Sequence, residues 1–128
     1  MKTALIVDDD IDTVDVLAEY LEYENIQVVG KAYNGKDCVE LYQKSKPDLV
    51  FSDVMMPHYD GFYVLEKIRQ INPNAIIIMV TGDLTSVTEN RLKTLNASEI
   101  VYKPFDITKI MILVNHFFEN EISIEIGT

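Results

Sequence analysis

The 128-residue chain has no tryptophan and one cysteine, Cys38. No internal disulfide can form, and a reducing compartment is expected. Basic residues are scarce: 11 Lys and Arg against 21 Asp and Glu leave a formal charge of −10. A surface of that sign repels phosphate backbones, which argues against nucleic-acid binding by this chain alone. No apolar run approaches the length of a membrane span, so no membrane association is expected. Met1-Lys2-Thr3 runs straight into a strand pattern and leaves no room for a signal peptide. Together these absences predict a cytoplasmic protein. The two histidines, His58 and His116, have no partner at metal-ligand spacing and read as surface residues. There are no repeats, low-complexity segments or linkers.

What is present suits one globular domain large enough to bury a core: 48% of residues are hydrophobic and 25% charged. Ala4 to Val7 is a short apolar run stopped by Asp8-Asp9-Asp10, a first buried strand. Ile11, Val14, Ala18 and Leu21 then recur at helical spacing, with Asp8 to Asp12 at the positive end of the helix dipole. Gln27 to Tyr33 reads as a second strand, Asn34-Gly35 as a turn, and Cys38, Leu41 and Tyr42 as one face of a second helix closed by Ser45-Lys46-Pro47. Leu49 to Phe51 is a third strand ending on Asp53, and Pro57 with Asp60-Gly61 halts it in a turn. Phe62, Leu65, Ile68 and Ile71 mark a third helix, ended by Asn72-Pro73. Ala75 to Val80 is the most apolar run, a strand buried on both faces, stopped at Thr81-Gly82-Asp83. Ser86 and Glu89 form a capping-box pattern that opens a fourth helix, and Asn96 ends it in the left-handed conformation. Glu99 to Tyr102 is a fifth strand stopped by Lys103-Pro104, and Asp106 caps a last helix running to about Asn120.

Five strand–helix alternations with short connections demand a parallel sheet covered by helices on both faces. The expected fold is doubly wound α/β, with strand order 2-1-3-4-5. In such a sheet the carboxyl ends of all strands share one edge, so Asp8, Asp9, Asp53, Thr81 and Lys103 converge there. A lone Asp53 would read as a turn cap; the convergence overturns that. Three crowded carboxylates need a cation, and hard oxygen ligands with room for water and phosphate suit Mg²⁺. A carboxylate beside that ion can act as nucleophile and form an aspartyl phosphate. Phosphoryl transfer then calls for charge stabilisation, which Lys103 supplies as a point charge and Thr81 as a hydroxyl donor.

Val7-Asp8-Asp9-Asp10, Ser52-Asp53-Val54-Met55-Met56-Pro57 with Asp60-Gly61, Val80-Thr81-Gly82 and Lys103-Pro104-Phe105 resemble the receiver domains of two-component response regulators over nearly the whole chain. The resemblance implies a flavodoxin-like (βα)5 fold. It also implies that Asp53 accepts a phosphoryl group from a phosphohistidine on a sensor kinase or phosphotransfer protein. Asp9, Asp53 and the backbone carbonyl of Met55 would hold Mg²⁺, with Asp8 acting mostly through water. Thr81 would close onto the phosphoryl group, Lys103 would pair with its charge, and the change of surface would control a partner or output domain. Asp10 reads as the cap of the first helix.

The pattern departs from the family at Ile100, where many receivers carry an aromatic three residues before the lysine, and at Asn96, where glycine is common. Tyr102 shares a strand face with Ile100 and is the alternative aromatic. Two other function classes share some features. A phosphatase built on Asp8-x-Asp10 would need further acidic ligands after a later strand and often a cap domain, which this chain lacks. A degenerate binding module would not keep the full residue set. In the last helix Ile107, Ile110, Met111, Val114, Phe117 and Phe118 form one stripe, with Ile112 off it and Leu113 at its flank. Residues 1–120 are expected to form the receiver domain and 121–128 a tail or linker stub, where Ile122, Ile124 and Ile126 alternate at strand period. The resemblance also implies that the surface of the fourth helix, fifth strand and fifth helix is a frequent dimer contact; the apolar excess lies there, so weak self-association that strengthens on phosphorylation is expected.

Overall fold

The computed structural model describes the backbone of residues 1–126 and the side chains through Glu119. Five strands, β1 (Lys2–Val7), β2 (Ile26–Ala32), β3 (Leu49–Ser52), β4 (Ile76–Thr81) and β5 (Glu99–Tyr102), alternate with α1 (Ile11–Tyr23), α2 (Gly35–Ser45), α3 (Gly61–Ile71), α4 (Ser86–Thr94) and α5 (Ile107–Ile126). The sheet is parallel, in the order β2-β1-β3-β4-β5.

Side chains alternate across the sheet and build two cores. Leu5, Val7, Val50, Ile77 and Met79 face Cys38 and Tyr42 of α2, Phe62, Leu65 and Ile68 of α3, and Leu92 of α4. Ala4, Ile6, Leu49, Phe51, Ile78 and Val80 face Val14, Leu17, Ala18 and Leu21 of α1, and Ile110 and Val114 of α5. Burial on both faces explains why the central strands read as unbroken apolar runs. Among the described residues, no helix is long and apolar enough to cross a membrane.

Several local expectations shift. Asn34-Gly35 and Asp60-Gly61 are helix starts rather than turns: Asn34 caps α2 by accepting from the Asp37 N–H, and Asp60 caps α3 by accepting from the Tyr63 N–H. The same side chains suit both tasks, because each works by offering an oxygen to a nearby N–H. The cap of α4 is Thr85, one residue before the expected Ser86, and Glu89 pairs with Lys93 at 3.0 Å instead of reaching back. Ile11 and Ile71 belong to no buried stripe; each is the terminal residue of its helix and lies exposed, while Leu17 and Val64 fill the cores. Asp10 caps α1, Lys46 ends α2 at φ 45° and Asn96 follows α4 at φ 65°. Helix α5 continues to Ile126, so the backbone of 121–126 is helical and not a separate tail of strand character. The side chains of Ile122, Ile124 and Ile126 lie outside the described residues.

Candidate functional site

Register sets the site. Val7 pairs with Ser52 across β1 and β3, so the next residues, Asp8 and Asp53, emerge side by side from the carboxyl edge. The ladder carries on one step further, with the Asp53 N–H donating to the Val7 carbonyl at 3.0 Å and the Asp8 N–H to the Ala32 carbonyl at 3.2 Å. Thr81 pairs with Tyr102 across β4 and β5, and the Lys103 N–H donates to the Thr81 carbonyl at 2.8 Å. Four strand ends thus bring together residues up to 95 positions apart.

One carboxylate oxygen from each of Asp8, Asp9 and Asp53 lies within 4.8 Å of the others. Asp8 and Asp53 are buried and Asp9 is exposed. Two unit charges at that spacing repel by on the order of 3 kcal/mol at an effective dielectric of 20. One cation is close: Lys103 Nζ donates to Asp8 Oδ2 at 2.7 Å and stands 3.4 Å from Asp53 Oδ2. A single lysine leaves the three carboxylates with two uncompensated charges. The donor set is all hard oxygen, which fits a divalent ion such as Mg²⁺.

The titration of Asp53 reflects the same crowding. Burial, and then the negative charge of Asp8, raise its pKa, against the opposing pull of Lys103 and of the Val54 N–H, which donates to Asp53 Oδ1 at 2.8 Å. Lys103 is pulled down by burial, but its hydrogen bond to Asp8 and the charges of Asp53 and Asp8 outweigh this and leave its pKa raised. It therefore stays protonated, as a counter-charge must.

Thr81 is buried at the end of β4, and its Oγ1 accepts from the Asp83 N–H at 3.0 Å. Met55 lies two residues beyond Asp53 on the loop after β3, with its side chain exposed. Asp10 is directed to its helix, accepting from the Asp12 N–H and the Thr13 hydroxyl, and takes no part in the cluster. Cys38 is buried, its thiol pushed up to about 12 by desolvation, and cannot serve as a nucleophile. His58 and His116 are both exposed, and neither belongs to the acidic cluster.

Two features were not legible in the sequence. Gly61, read as turn chemistry, is instead a point of close approach: its N–H donates to the Val54 carbonyl at 2.8 Å, and a Cβ there would strike the Asp53 carbonyl oxygen. The link from Thr81 to Asp83 is the other, since by residue type Asp83 is one more polar residue ending β4. On β5, Ile100 packs partly buried against the core beneath α2, α3 and α4, while Tyr102 on the same face is exposed.

The model of the response regulator receiver domain matches residues 4–115. Among solved structures, the chain is similar to a CheX–CheY–BeF3–Mg²⁺ complex from Borrelia burgdorferi, with 28% identity and a TM-score of 0.86 over 91% of this chain and 89% of that one. It is also similar to a putative response regulator from Chloroflexus aurantiacus, with 26% identity and a TM-score of 0.83 over 90% and 95%. A CheY-like receiver domain protein from Methanospirillum hungatei, at 24% identity, shares the fold with a TM-score of 0.89 over 96% and 98%. With the strand order, the acidic edge and the lysine already in place, the match over most of its length shows that this chain belongs to the response regulator receiver domain family.

Proposed function

We propose that this receiver domain is a phosphorylation-dependent signalling switch in which Asp53 takes a phosphoryl group from the phosphohistidine of a sensor kinase or phosphotransfer protein. The observation that carries this reading is the buried Asp53 carboxylate beside Asp8, Asp9 and a protonated Lys103 at the carboxyl edge of the sheet. Asp9 and Asp53 would hold Mg²⁺ together with the Met55 carbonyl, and Asp8 through water. The ion supplies charge neutralisation for the phosphoryl oxygens. An Asp53 carboxylate oxygen bonds to phosphorus as the bond to the donor imidazole nitrogen breaks, and that electron pair stays on the imidazole. The Val54 N–H, bonded to Asp53 Oδ1, holds the carboxylate in one orientation during the attack. Lys103 releases Asp53 from repulsion and meets the incoming negative charge, and the Thr81 hydroxyl donates to a phosphoryl oxygen. The module is not a turnover enzyme: it assists its own phosphorylation and dephosphorylation, and residues 1–120 carry that activity.

The surface of α4, β5 and α5 is where a partner, an output domain or a second copy would read the change. A groove of ≈ 460 Å³ there is lined by Ile100, Tyr102, Pro104, Ile112 and Leu113, and Ile112 is exposed. Weak self-association strengthened by phosphorylation is the expected outcome.

Incubation with Mg²⁺ and a small phosphodonor tests the switch. Intact mass should rise by one phosphoryl group, and EDTA or Asp53→Asn should abolish the rise. Continuous phosphate release through Asp8 would instead support a phosphatase, and no label at all a degenerate binding module.

A further inference from the structure

Helix α4 is thinly seated. Only Thr88 and Leu92 of its nine residues are buried, and Val87 is exposed, as is Leu84 just before the helix. A helix with so small an apolar face depends on its ends. At the carboxyl end Arg69 of α3 donates from Nε and Nη2 to the Asn96 carbonyl at 2.9 and 2.7 Å, and from Nη2 to Ser98 Oγ at 3.0 Å. That end is pinned to α3 and to the start of β5.

The amino end is held differently. Its own cap is weak, the Thr88 N–H reaching Thr85 Oγ1 at 3.4 Å. Asp83 does more: Oδ1 accepts from the Thr85 N–H at 2.9 Å, and Oδ2 accepts from the buried Thr88 hydroxyl at 2.6 Å. The same residue's N–H donates to Thr81 Oγ1 at 3.0 Å. A continuous polar chain therefore runs from the Thr81 hydroxyl through Asp83 to the first turn of α4. The Thr88 hydroxyl, then the Thr85 groups, hold the Asp83 carboxyl below the usual carboxylate range, so it is ionised and a strong acceptor at neutral pH.

We propose that Asp83 is the positioning residue that ties the first turn of α4 to the Thr81 hydroxyl, and that breaking this tie transmits the state of Asp53 to α4. This rests on the phosphoryl-switch reading of Asp53 and Thr81. When Thr81 turns its hydroxyl to a phosphoryl oxygen, Oγ1 leaves the Asp83 N–H, Asp83 loses its anchor to β4, and the first turn of α4 shifts about the Arg69-pinned end. No aromatic ring on β5 is required. Ile100 stays in the core, and Tyr102 has no part in the chain of bonds.

Hydrogen exchange of the full chain, with and without beryllofluoride and Mg²⁺, tests this. In the unaltered protein beryllofluoride should slow exchange at the Val54 amide and speed it over residues 85–89 by roughly fivefold, about the loss of one helix cap. Asp83→Ala should exchange at the fast rate over 85–89 without beryllofluoride and show no further change there, while Val54 still responds. Thr88→Val, which keeps the packing volume but removes the donor, should do the same. Asp83→Asn keeps an acceptor and a donor and should restore most of the protection, and Tyr102→Ala should respond as the unaltered protein does. The assignment is overturned if Asp83→Ala and Thr88→Val retain a normal α4 response, or if Tyr102→Ala abolishes it. Absence of any change at Val54 in the unaltered protein would overturn the phosphoryl-switch reading itself, and this one with it.

Discussion

Replacing Gly61 by alanine places a methyl group against backbone that has nowhere to go. The new Cβ would overlap the Asp53 carbonyl oxygen and come within 2.7 Å of Val54 Cα and 3.0 Å of the Asp53 carbonyl carbon. All three are main-chain atoms of the segment that carries the acceptor, held by the bonds from Asp53 N–H to Val7 and from Gly61 N–H to Val54. No rotamer change relieves the clash, so α3 and the acceptor segment must separate. Overpacking of this kind costs about 1–3 kcal/mol, and rigid neighbours place the change near the upper end. At about 3 kcal/mol, against a total stability of roughly 5–15 kcal/mol, the melting temperature should fall by on the order of 10 °C. Gly82 is the internal control: a Cβ there meets nothing within 4 Å and its φ is not positive, so Gly82→Ala should be neutral or stabilise by a few tenths of a kcal/mol. Thermal and urea unfolding followed by circular dichroism measure both, and intact mass with a phosphodonor shows whether Asp53 still reacts. Gly61→Ala melting within a degree of the original, with undiminished phosphorylation, would refute the close-approach argument.

Other outcomes follow from the same geometry. Lys103→Ala frees the Asp8 carboxylate, so Mg²⁺ should bind at least as tightly by titration calorimetry while beryllofluoride binding weakens; weaker Mg²⁺ binding would contradict the ion-pair account. Because the folded-state pKa of Asp53 is raised above its ordinary 3.8, that group adds stability below pH 3.8 and loses it as pH rises through the raised value. In EDTA, Asp53→Asn should therefore exceed the parent in stability at neutral pH and match it near pH 3, and parallel pH profiles from urea titrations would count against the burial-and-Asp8 explanation. Saturating Mg²⁺ should stabilise the parent but not Asp53→Asn, by about 2.7 kcal/mol at a hundredfold excess over Kd. Sedimentation of the full chain, a form ending at Asn120 and Ile112→Glu, each with and without beryllofluoride, checks self-association; three monomers under both conditions would exclude it.

The order of elements and the membership of the carboxyl edge follow from residue type and spacing alone. Both are written locally: an apolar run stopped by Asp8, Asp53, Thr81 or Lys103 ends a strand wherever that strand lies. Burial on both faces made the runs continuous and easy to read, and Asn96 and Asp106 marked helix ends by chemistry that acts within a few residues. The positions of the other caps were less legible, since Asn34, Asp60 and Thr85 offer the same oxygen to a turn or to a helix. It takes the folded arrangement to show that Lys103 bonds Asp8 at 2.7 Å and stands farther, 3.4 Å, from Asp53. That arrangement alone shows that Gly61 is needed for contact with the acceptor backbone and that Asp83 joins Thr81 to α4. Those relations depend on strand register and on where loops place atoms to a few tenths of an ångström, and neither is carried by residue type or spacing along the chain.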